Sequence, residues 1–318
     1  AAYQYMDCEL VDGNIEVLNR YDFTNLSEYE FLYQVKVDGK VTQQDRIILD
    51  IEPKQRKRIK INIPPKCTLG AYVNCMLYDK TGCQVAAKQL KIDVPVIKAE
   101  RKKQILTGKQ TENHIFFRGT DFEYVFSKDL GTFVGMKKNG AEQLLAPVRI
   151  TAMRAPIDNE RHIKAKWYWH NIWEGENLDR QFDMVYSCNY ENGTILVKGA
   201  LAGVSRTPFF SYEAHYTVFD DGEISVALDG NVKEKCIWLP RLGFEFKTPY
   251  DNSRFSYFGM GPNESYCDMH HASMIDLYES DADSEYVNYV MPQEHGNHTE
   301  TKFPKMKNGL AFEADGVM

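Results

Sequence analysis

Hydrophobic and polar positions over residues 10–95 repeat one unit, a short β-type run followed by a turn signal. Between Phe31 and Val37 every second side chain is apolar, which predicts a strand with one face buried against a core. Pairs such as Asp12-Gly13 and Asp38-Gly39 interrupt the runs. The predicted strands are 15–18, 30–37, 46–51, 58–63, 71–78 and 85–92. This spacing predicts an immunoglobulin-like β-sandwich over residues 1–95.

The rest of the chain repeats the β pattern after a short break. Residues 96–108 include a basic cluster and predict a linker, so a second domain is expected over 109–318. Asn139-Gly140, Asn192-Gly193 and Asp221-Gly222 predict hairpins, because such pairs supply the positive φ angles of primed turns. The predicted strands here are 113–119, 122–127, 133–137, 184–190, 194–200, 211–219, 223–228 and 255–260. The sequence therefore predicts an all-β, antiparallel protein.

One stretch, residues 159–181, departs from the strand pattern. Ile163, Trp167, His170 and Trp173 recur at helical spacing, which predicts a short helix or an ordered loop. The stretch also contains Trp169, so it holds three of the four tryptophans of the chain. The tryptophans are interpreted either as anchors of a connection packed against a sheet or as an aromatic wall that stacks on a sugar ring.

Composition and charge exclude several classes of function. The formal net charge is −7 and the basic residues form no extended footprint, so a nucleic-acid partner is excluded. No apolar run approaches the roughly 20 residues of a membrane span, so no membrane partner is expected either. The seven cysteines include no C-x-x-C pair. This spacing favours reduced thiols over a disulfide scaffold or a zinc site. The compartment stays open, with a cytoplasmic location favoured over a periplasmic one.

The residues by themselves identify no catalytic or metal site. A glycosidase needs two carboxylates facing one bond, and spacing cannot choose a pair among 45 acidic residues. The best local candidates are Asp158 with Glu160, and Glu264, whose glycine- and proline-rich surroundings indicate a turn-stabilising acid. His270-His271 and His298 with Glu300 are weak metal candidates, since a site needs three or four ligands. The bottom-up interpretation is a binding or scaffold module.

Four segments in order resemble the C-terminal third of bacterial β-galactosidases of glycoside hydrolase family two. They are residues 13–29, 143–159, 258–266 and 289–296. In the second, Arg154, Asp158 and Asn159 match the Arg-Ala-Pro-x-Asp-Asn signature of the family's terminal domain. In the fourth, His295 stands where most relatives have asparagine.

The resemblance implies the fold and the partners. The implied fold is the small immunoglobulin-like domain followed by a large supersandwich shared with galactose mutarotases, incomplete at its C-terminus. In the family, the catalytic glutamates and the ligands of Mg and Na belong to a preceding barrel, so no catalytic residue, metal ligand or cofactor is expected in this chain. The implied partners are the catalytic barrel of the same parent chain, the galactoside substrate through that parent, and further copies in a homo-oligomer. Open sheet edges would also favour self-association of such a fragment.

The function implied is therefore the non-catalytic support of an enzyme that hydrolyses terminal β-D-galactosides. The residues expected near the substrate are Arg154, Asp158, Asn159, Trp167, Trp169 and Trp173. Two alternatives stay open. One is a carbohydrate-binding module that uses the three tryptophans. The other is a mutarotase-type enzyme with His215 or His298 as one catalytic group and Glu213 or Glu264 as the other.

Overall fold

The computed structural model describes residues 3–97, 102–157, 160, 176–233 and 239–314. Over these ranges the chain is built from strands and three short 3-10 helices, Leu26–Glu28, Leu178–Arg180 and Tyr250–Asn252. The predicted all-β class is confirmed. The strands are β1 (Met6–Val11), β2 (Asn14–Asn19), β3 (Glu30–Val37), β4 (Lys40–Ile48), β5 (Arg56–Lys60), β6 (Ala71–Tyr78), β7 (Gln84–Lys91), β8 (Lys109–Gln110), β9 (His114–Arg118), β10 (Phe122–Ser127), β11 (Thr132–Lys138), β12 (Ala141–Glu142), β13 (Arg149–Thr151), β14 (Gln181–Glu191), β15 (Thr194–Gly203), β16 (Phe210–Val218), β17 (Ile224–Val232), β18 (Gly243–Glu245), β19 (Arg254–Gly261), β20 (Met274–Asp281) and β21 (Phe303–Met306).

The described residues divide into two compact units. Unit 1 contains 3–97, 254–286 and 295–314, and unit 2 contains 102–157, 160, 176–233, 239–253 and 287–294. Unit 1 has three sheets with strand orders β1-β2-β5, β4-β3-β6-β7 and β20-β19-β21. Unit 2 has the sheets β12-β11-β10-β9-β8, β13-β18 and β14-β15-β16-β17. The domain bounds drawn from the sequence, 1–95 and 109–318, stay a prediction.

In unit 1 the first two sheets form the small sandwich predicted from the alternation. Phe31 and Val35 on β3 are fully buried in its core, as the pattern indicates. The prediction of a single buried face is incomplete, however, because Leu32 and Asn74 on the opposite face are buried as well. These positions lie on the central strands β3 and β6, where side chains on both faces are withdrawn from water.

Residues from β20 cover that second face of the sandwich sheet. The amide side chain of Gln89 on β7 accepts a hydrogen bond from Ile275 N–H at 2.7 Å and donates to Ile275 O at 2.8 Å. The same amide nitrogen donates to Asn74 Oδ1 at 2.8 Å, and Lys36 on β3 forms an ion pair with Asp276. Because these polar side chains have partners, burying them beneath β20 carries little desolvation penalty.

The three predicted hairpins are confirmed, and two of them have the predicted turn geometry. Asn139 and Gly140 have φ angles of 50° and 77°, and Asn192 and Gly193 have 51° and 80°. These are the left-handed values that a primed turn needs. At the third position only Gly222 has a positive φ, of 85°, so the turn between β16 and β17 has another geometry.

Aromatic rings dominate the core of unit 2. Phe126, Phe133 and Tyr216 meet edge to face, with ring centroids between 5.0 and 5.9 Å apart. Phe117 on β9 is buried beside them in the same cluster. Each ring presents its positive edge to a neighbour's negative face. These contacts favour a particular orientation of the rings, in addition to burying large apolar side chains. This explains the high content of tyrosine and phenylalanine in the predicted strands.

Several strands differ from their predicted bounds. The run at 46–51 belongs to β4, which ends at Ile48, while Leu49 and Ile51 leave the strand and fill the core from a loop. β1 and β20 had not been predicted, although apolar and charged residues are interspersed along both strands. The predicted helix or loop at 159–181 falls mostly on residues 161–175, outside the described residues. In the part of the chain that is described, no helix has the length and apolarity needed to cross a membrane.

Candidate functional site

Of the residues predicted to lie near the substrate, the structure describes Arg154. It lies in the loop after β13, which we call the signature loop because it carries the Arg-Ala-Pro motif. Arg154 follows β13 and is succeeded by Ala155-Pro156, where proline disfavours helical backbone in the residue before it. The loop therefore leaves the strand in extended form. Its backbone N–H and C=O groups are not paired within a sheet, so side chains must bind them.

Arg154 and Glu160 close this loop on itself. The guanidinium donates two parallel hydrogen bonds to the Glu160 carboxylate, at 2.9 Å and 2.7 Å. Its Nε donates to Pro240 O at 3.0 Å. Glu160 Oε2 also accepts from Ile157 N–H at 2.7 Å. A bidentate, largely buried pair of this kind fixes both orientation and distance, so it acts as a brace across the loop.

A second acidic residue joins the brace from the fourth motif. Glu294 accepts a hydrogen bond from Ala155 N–H at 3.1 Å, and Arg241 lies 3.7 Å from its other oxygen. The structure thus brings the second and fourth motifs together in unit 2. We call Arg154, Glu160, Arg241 and Glu294 the signature cluster. Sequence reasoning missed the role of Glu294 and Arg241, although Glu294 lies inside the fourth motif.

The other predicted substrate-proximal residues are not described by the structure. Asp158, Asn159, Trp167, Trp169 and Trp173 lie outside the described residues. Their position near a substrate stays a prediction.

The third and fourth motifs meet in unit 1 through the turn that contains Glu264. Glu264 Oε2 accepts from Gly296 N–H at 2.8 Å. Ser265 N–H donates to Asn297 O at 2.6 Å, and the Asn297 side chain donates back to Ser265 O at 2.8 Å. These bonds support the interpretation of Glu264 as a turn-stabilising acid, since its carboxylate holds a backbone amide of the facing loop.

His298 makes a different pairing from the one considered for a mutarotase-type site. Its Nδ1 lies 2.9 Å from Met260 O, and its Nε2 lies 2.8 Å from Glu285 Oε2. The ring also packs on Tyr257, with centroids 4.3 Å apart. The carboxylate partner of His298 is therefore Glu285, and the imidazole links two segments of unit 1.

The structure does bring His215 and Glu213 together on β16. Their side chains lie 3.1 Å apart, and Lys198 on β15 lies 2.8 Å from the other Glu213 oxygen. Hydrogen bonds from Lys198 and His215 lower the pKa of Glu213. A carboxylate held in its ionised form by two partners is a weakened base, and this group stands on the open face of the sheet.

The weak metal candidates occupy turns. The rings of His270 and His271 lie 4.5 Å apart, in the segment between β19 and β20. Glu300 has a φ of 56° and belongs to a turn. Among the described residues, no group of three or more His, Cys, Asp or Glu side chains converges on a common point.

Comparison with known families agrees with this geometry. A family model described as "Beta galactosidase small chain" matches residues 118–316, and one described as "Beta-galactosidase, domain 4" matches residues 15–92. The chain belongs to the β-galactosidase small-chain family. The resemblance seen in the four sequence segments is therefore confirmed.

Individual β-galactosidases are similar to the chain over nearly all of its length. The protein from Actinobacillus pleuropneumoniae is 25% identical and is matched by 94% of this chain. Those from Lactobacillus delbrueckii subsp. bulgaricus and Kluyveromyces lactis are 27% and 26% identical, matched by 100% and 98% of this chain. In each case the match covers 30% to 32% of the relative. The chain thus spans about a third of the length of these curated relatives.

Arg154→Lys is expected to loosen the signature loop of this small-chain family member while leaving the overall fold intact. Lysine keeps the charge but cannot form the bidentate bond to Glu160 and the bond to Pro240 O together. We expect amide exchange over residues 153–157 to accelerate about tenfold or more. Hydrogen exchange with mass spectrometry measures this.

Arg118→Lys is the matched control for that measurement. Arg118 pairs with Glu123 at 2.8 Å on the surface of the same unit. Because exposed pairs contribute little, exchange should change there by less than about twofold. Equal exchange in Arg154→Lys and the unmodified chain would show that the brace does not hold the loop.

Proposed function

We propose that this chain is a non-catalytic C-terminal part of a β-galactosidase, and that it supports a catalytic barrel located elsewhere in the parent enzyme. The observation that carries the proposal is the succession of two β-galactosidase family models along the chain, at 15–92 and 118–316. The intact enzyme would hydrolyse terminal β-D-galactosides, and the partner of this chain would be the barrel itself. Further copies of the parent would complete a homo-oligomer.

The chemistry of the signature cluster supports a structural contribution to the substrate site. Glycoside hydrolysis needs one carboxylic acid to protonate the leaving oxygen and one carboxylate to act as nucleophile or base. Glu160 is bound by Arg154, and Glu294 lies beside Arg241. Carboxylates already engaged by guanidinium groups in this way are not free to take either role. The cluster is suited to fixing the loop that carries Asp158 and Asn159.

The same contacts also bear on whether the signature cluster could bind a metal ion. A carboxylate that already binds a guanidinium group has its oxygens occupied by a cation, so the acids of the signature cluster do not fit a Mg or Na site. The proposal therefore assigns both ions to the barrel and none to this chain. Arg154 is a positioning residue in this proposal, because it acts through the loop it holds.

The test is an assay of the purified chain with o-nitrophenyl β-D-galactopyranoside, beside a galactose titration followed by tryptophan fluorescence. We expect no hydrolysis above the buffer rate and no saturable fluorescence change, since the chain would lack both the carboxylate pair and the rest of the sugar site. A full-length β-galactosidase serves as the positive control.

Each departure from that result has a defined meaning. Turnover by the purified chain would refute the non-catalytic proposal. Saturable galactose binding without turnover would instead favour a carbohydrate-binding module, and would assign recognition to the tryptophan-rich segment. Substitution of Trp167 by alanine would then be expected to abolish the fluorescence change.

A further inference from the structure

Two cysteines face each other inside the small sandwich of unit 1. Cys8 lies on β1 in the β1-β2-β5 sheet, and Cys75 lies on β6 in the β4-β3-β6-β7 sheet. Both side chains point into the same hydrophobic core, where Cys8 is 1% exposed and Cys75 is 0% exposed. The two thiols interact directly, and each is a free thiol in the structure.

We propose that Cys8 and Cys75 are a redox pair that closes into a disulfide between the two sheets and stabilises the small sandwich. A disulfide needs its two β-carbons about 4 Å apart with their bonds directed at each other. Facing positions on the inner sides of two packed sheets can provide this arrangement, as the inter-sheet disulfide of immunoglobulin domains shows. The inference is independent of the proposed function.

The other cysteines described in the structure are placed differently. Cys83 and Cys267 are exposed, and Cys188 is half-buried in unit 2. Cys67 is buried in unit 1, but it lies in the segment before β6, where its backbone bonds with Pro95 and Ile97. Cys8 and Cys75 are thus the pair that the sandwich itself brings together from distant parts of the sequence.

The reaction needs a disulfide oxidant, for which glutathione disulfide is the chemical class proposed. The Cys8 thiolate attacks one sulfur of glutathione disulfide, which breaks its S–S bond and releases one glutathione. The Cys75 thiolate then attacks the Cys8 sulfur of the mixed disulfide and releases the second glutathione. Two protons and two electrons leave the cysteines, and two glutathione thiols are formed.

Burial determines when this reaction can occur. The adjacent Cys75 thiol, together with burial, raises the pKa of the Cys8 thiol well above its ordinary value. The thiolate is the attacking species, so the folded core protects the pair from oxidation. The disulfide is therefore expected to form during folding, when both thiols are still accessible. Whether the folded protein contains it then depends on the redox conditions under which the chain folded.

Peptide mapping of the unmodified chain tests the proposal. The reduced chain is unfolded in urea and refolded with either reduced or oxidised glutathione, and remaining thiols are alkylated. Trypsin should yield the peptide 1–20 linked to the peptide 67–80, which contains both Cys67 and Cys75. Chymotrypsin cleaves after Tyr72 and separates these two cysteines. We expect Cys8 to be linked to Cys75 in most of the oxidised sample.

Thermal unfolding provides the second readout. A disulfide that closes so long a loop should raise the Tm of the oxidised sample by about 5 °C or more. Cys8→Ala should show the same Tm after both refolding conditions. The double variant Cys83→Ser, Cys267→Ser is the matched control, because it removes exposed thiols and should keep the full rise in Tm.

Three results would overturn the proposal. They are an alkylated Cys8 in correctly folded, oxidised protein, a link from Cys8 to Cys67, and a correct link that leaves Tm unchanged. If Cys8→Ala does not fold, the peptide map and the Tm of the unmodified chain still decide the question.

Discussion

Asp183→Asn is expected to stabilise the chain at neutral pH by up to about 3 kcal/mol, and this gain should shrink as the pH falls towards 4.5. Asp183 lies on β14, and burial raises its pKa from 3.8 to about 6, with Arg149 and a hydrogen bond from Tyr212 acting in the opposite direction. The difference between these two values, at 1.36 kcal/mol for each pH unit, gives about 3 kcal/mol.

The local packing explains why this carboxyl is held there. Tyr212 on β16 crosses the intervening strand β15 and donates to Asp183 Oδ1 at 3.4 Å. Gly199 on β15 makes this crossing feasible, since a Cβ at that position would lie only 2.7 Å from the Tyr212 hydroxyl. Burial and the charge of Asp183 both raise the pKa of the Tyr216 phenol.

The direction of the pH effect follows from the raised pKa. Above pH 6 the carboxyl is ionised in both the folded and the unfolded chain, and the folded state bears the cost of burying the charge. As the pH falls from 6 to 3.8, the folded state takes up the proton first, so the free energy of unfolding contributed by Asp183 rises. The penalty is therefore present at neutral pH and is relieved in acid.

Urea denaturation at pH 7.5, 6.5, 5.5 and 4.5 measures the difference between Asp183→Asn and the unmodified chain. Taking the difference at each pH cancels the contributions of the other acids. Asp229→Asn, an exposed position on β17, is the control and should change the free energy of unfolding by less than about 0.5 kcal/mol. A gain that is the same at pH 4.5 and 7.5 would contradict ionisation of Asp183 as its source.

Asn19→Ala is expected to lower the free energy of unfolding of unit 1 by about 4 kcal/mol. The Asn19 side chain is fully buried at the end of β2. Its Nδ2 donates to Thr24 O at 2.9 Å and to Ile51 O at 2.8 Å, and its Oδ1 accepts from Tyr21 N–H at 2.9 Å. Alanine would leave Thr24 O and Tyr21 N–H without these partners, at a cost of roughly 1–3 kcal/mol each, and Ile51 O would keep only the hydrogen bond from Leu26 N–H.

Two further variants make the test specific. Asn19→Asp keeps the acceptor for Tyr21 but directs a carboxylate at two carbonyl oxygens, so it should destabilise at least as much as alanine. Asn14→Ala is the control, since Asn14 lies on the same strand and donates one exposed bond, to Asp12 O at 3.0 Å. Calorimetry of the three variants measures the effects, and equal losses for Asn14→Ala and Asn19→Ala would refute the explanation.

The sequence predicted the strands best where the burial pattern follows the strand period. β3, β6 and β10 have the predicted bounds, because each alternates or runs apolar between clear turn signals. β20 was missed although Ile275 and Leu277 alternate with charged residues, because no strong breakers bound the segment. Local pattern cannot identify a strand whose burial depends on what covers it.

The candidate site was predicted only in part for a similar reason. Arg154 could be singled out because it belongs to a recognisable signature. Glu160 was considered as a catalytic acid, whereas the structure shows its bidentate bond to Arg154. Glu294 reaches the same loop from 139 residues further along the chain. Spacing along the sequence gives no measure of such distances.

The sequence by itself determined the all-β class, the hairpins at Asn139-Gly140 and Asn192-Gly193, and the family. These depend on short-range causes, namely the two-residue period of strands, the positive φ that Asn-Gly pairs tolerate, and motifs read as contiguous residues. The tertiary structure alone decided that Cys8 faces Cys75, that Gln89 binds the backbone of Ile275, and that Asp183 is withdrawn from solvent. Each of these is a contact between distant residues, and its energy depends on the water excluded when the sheets pack.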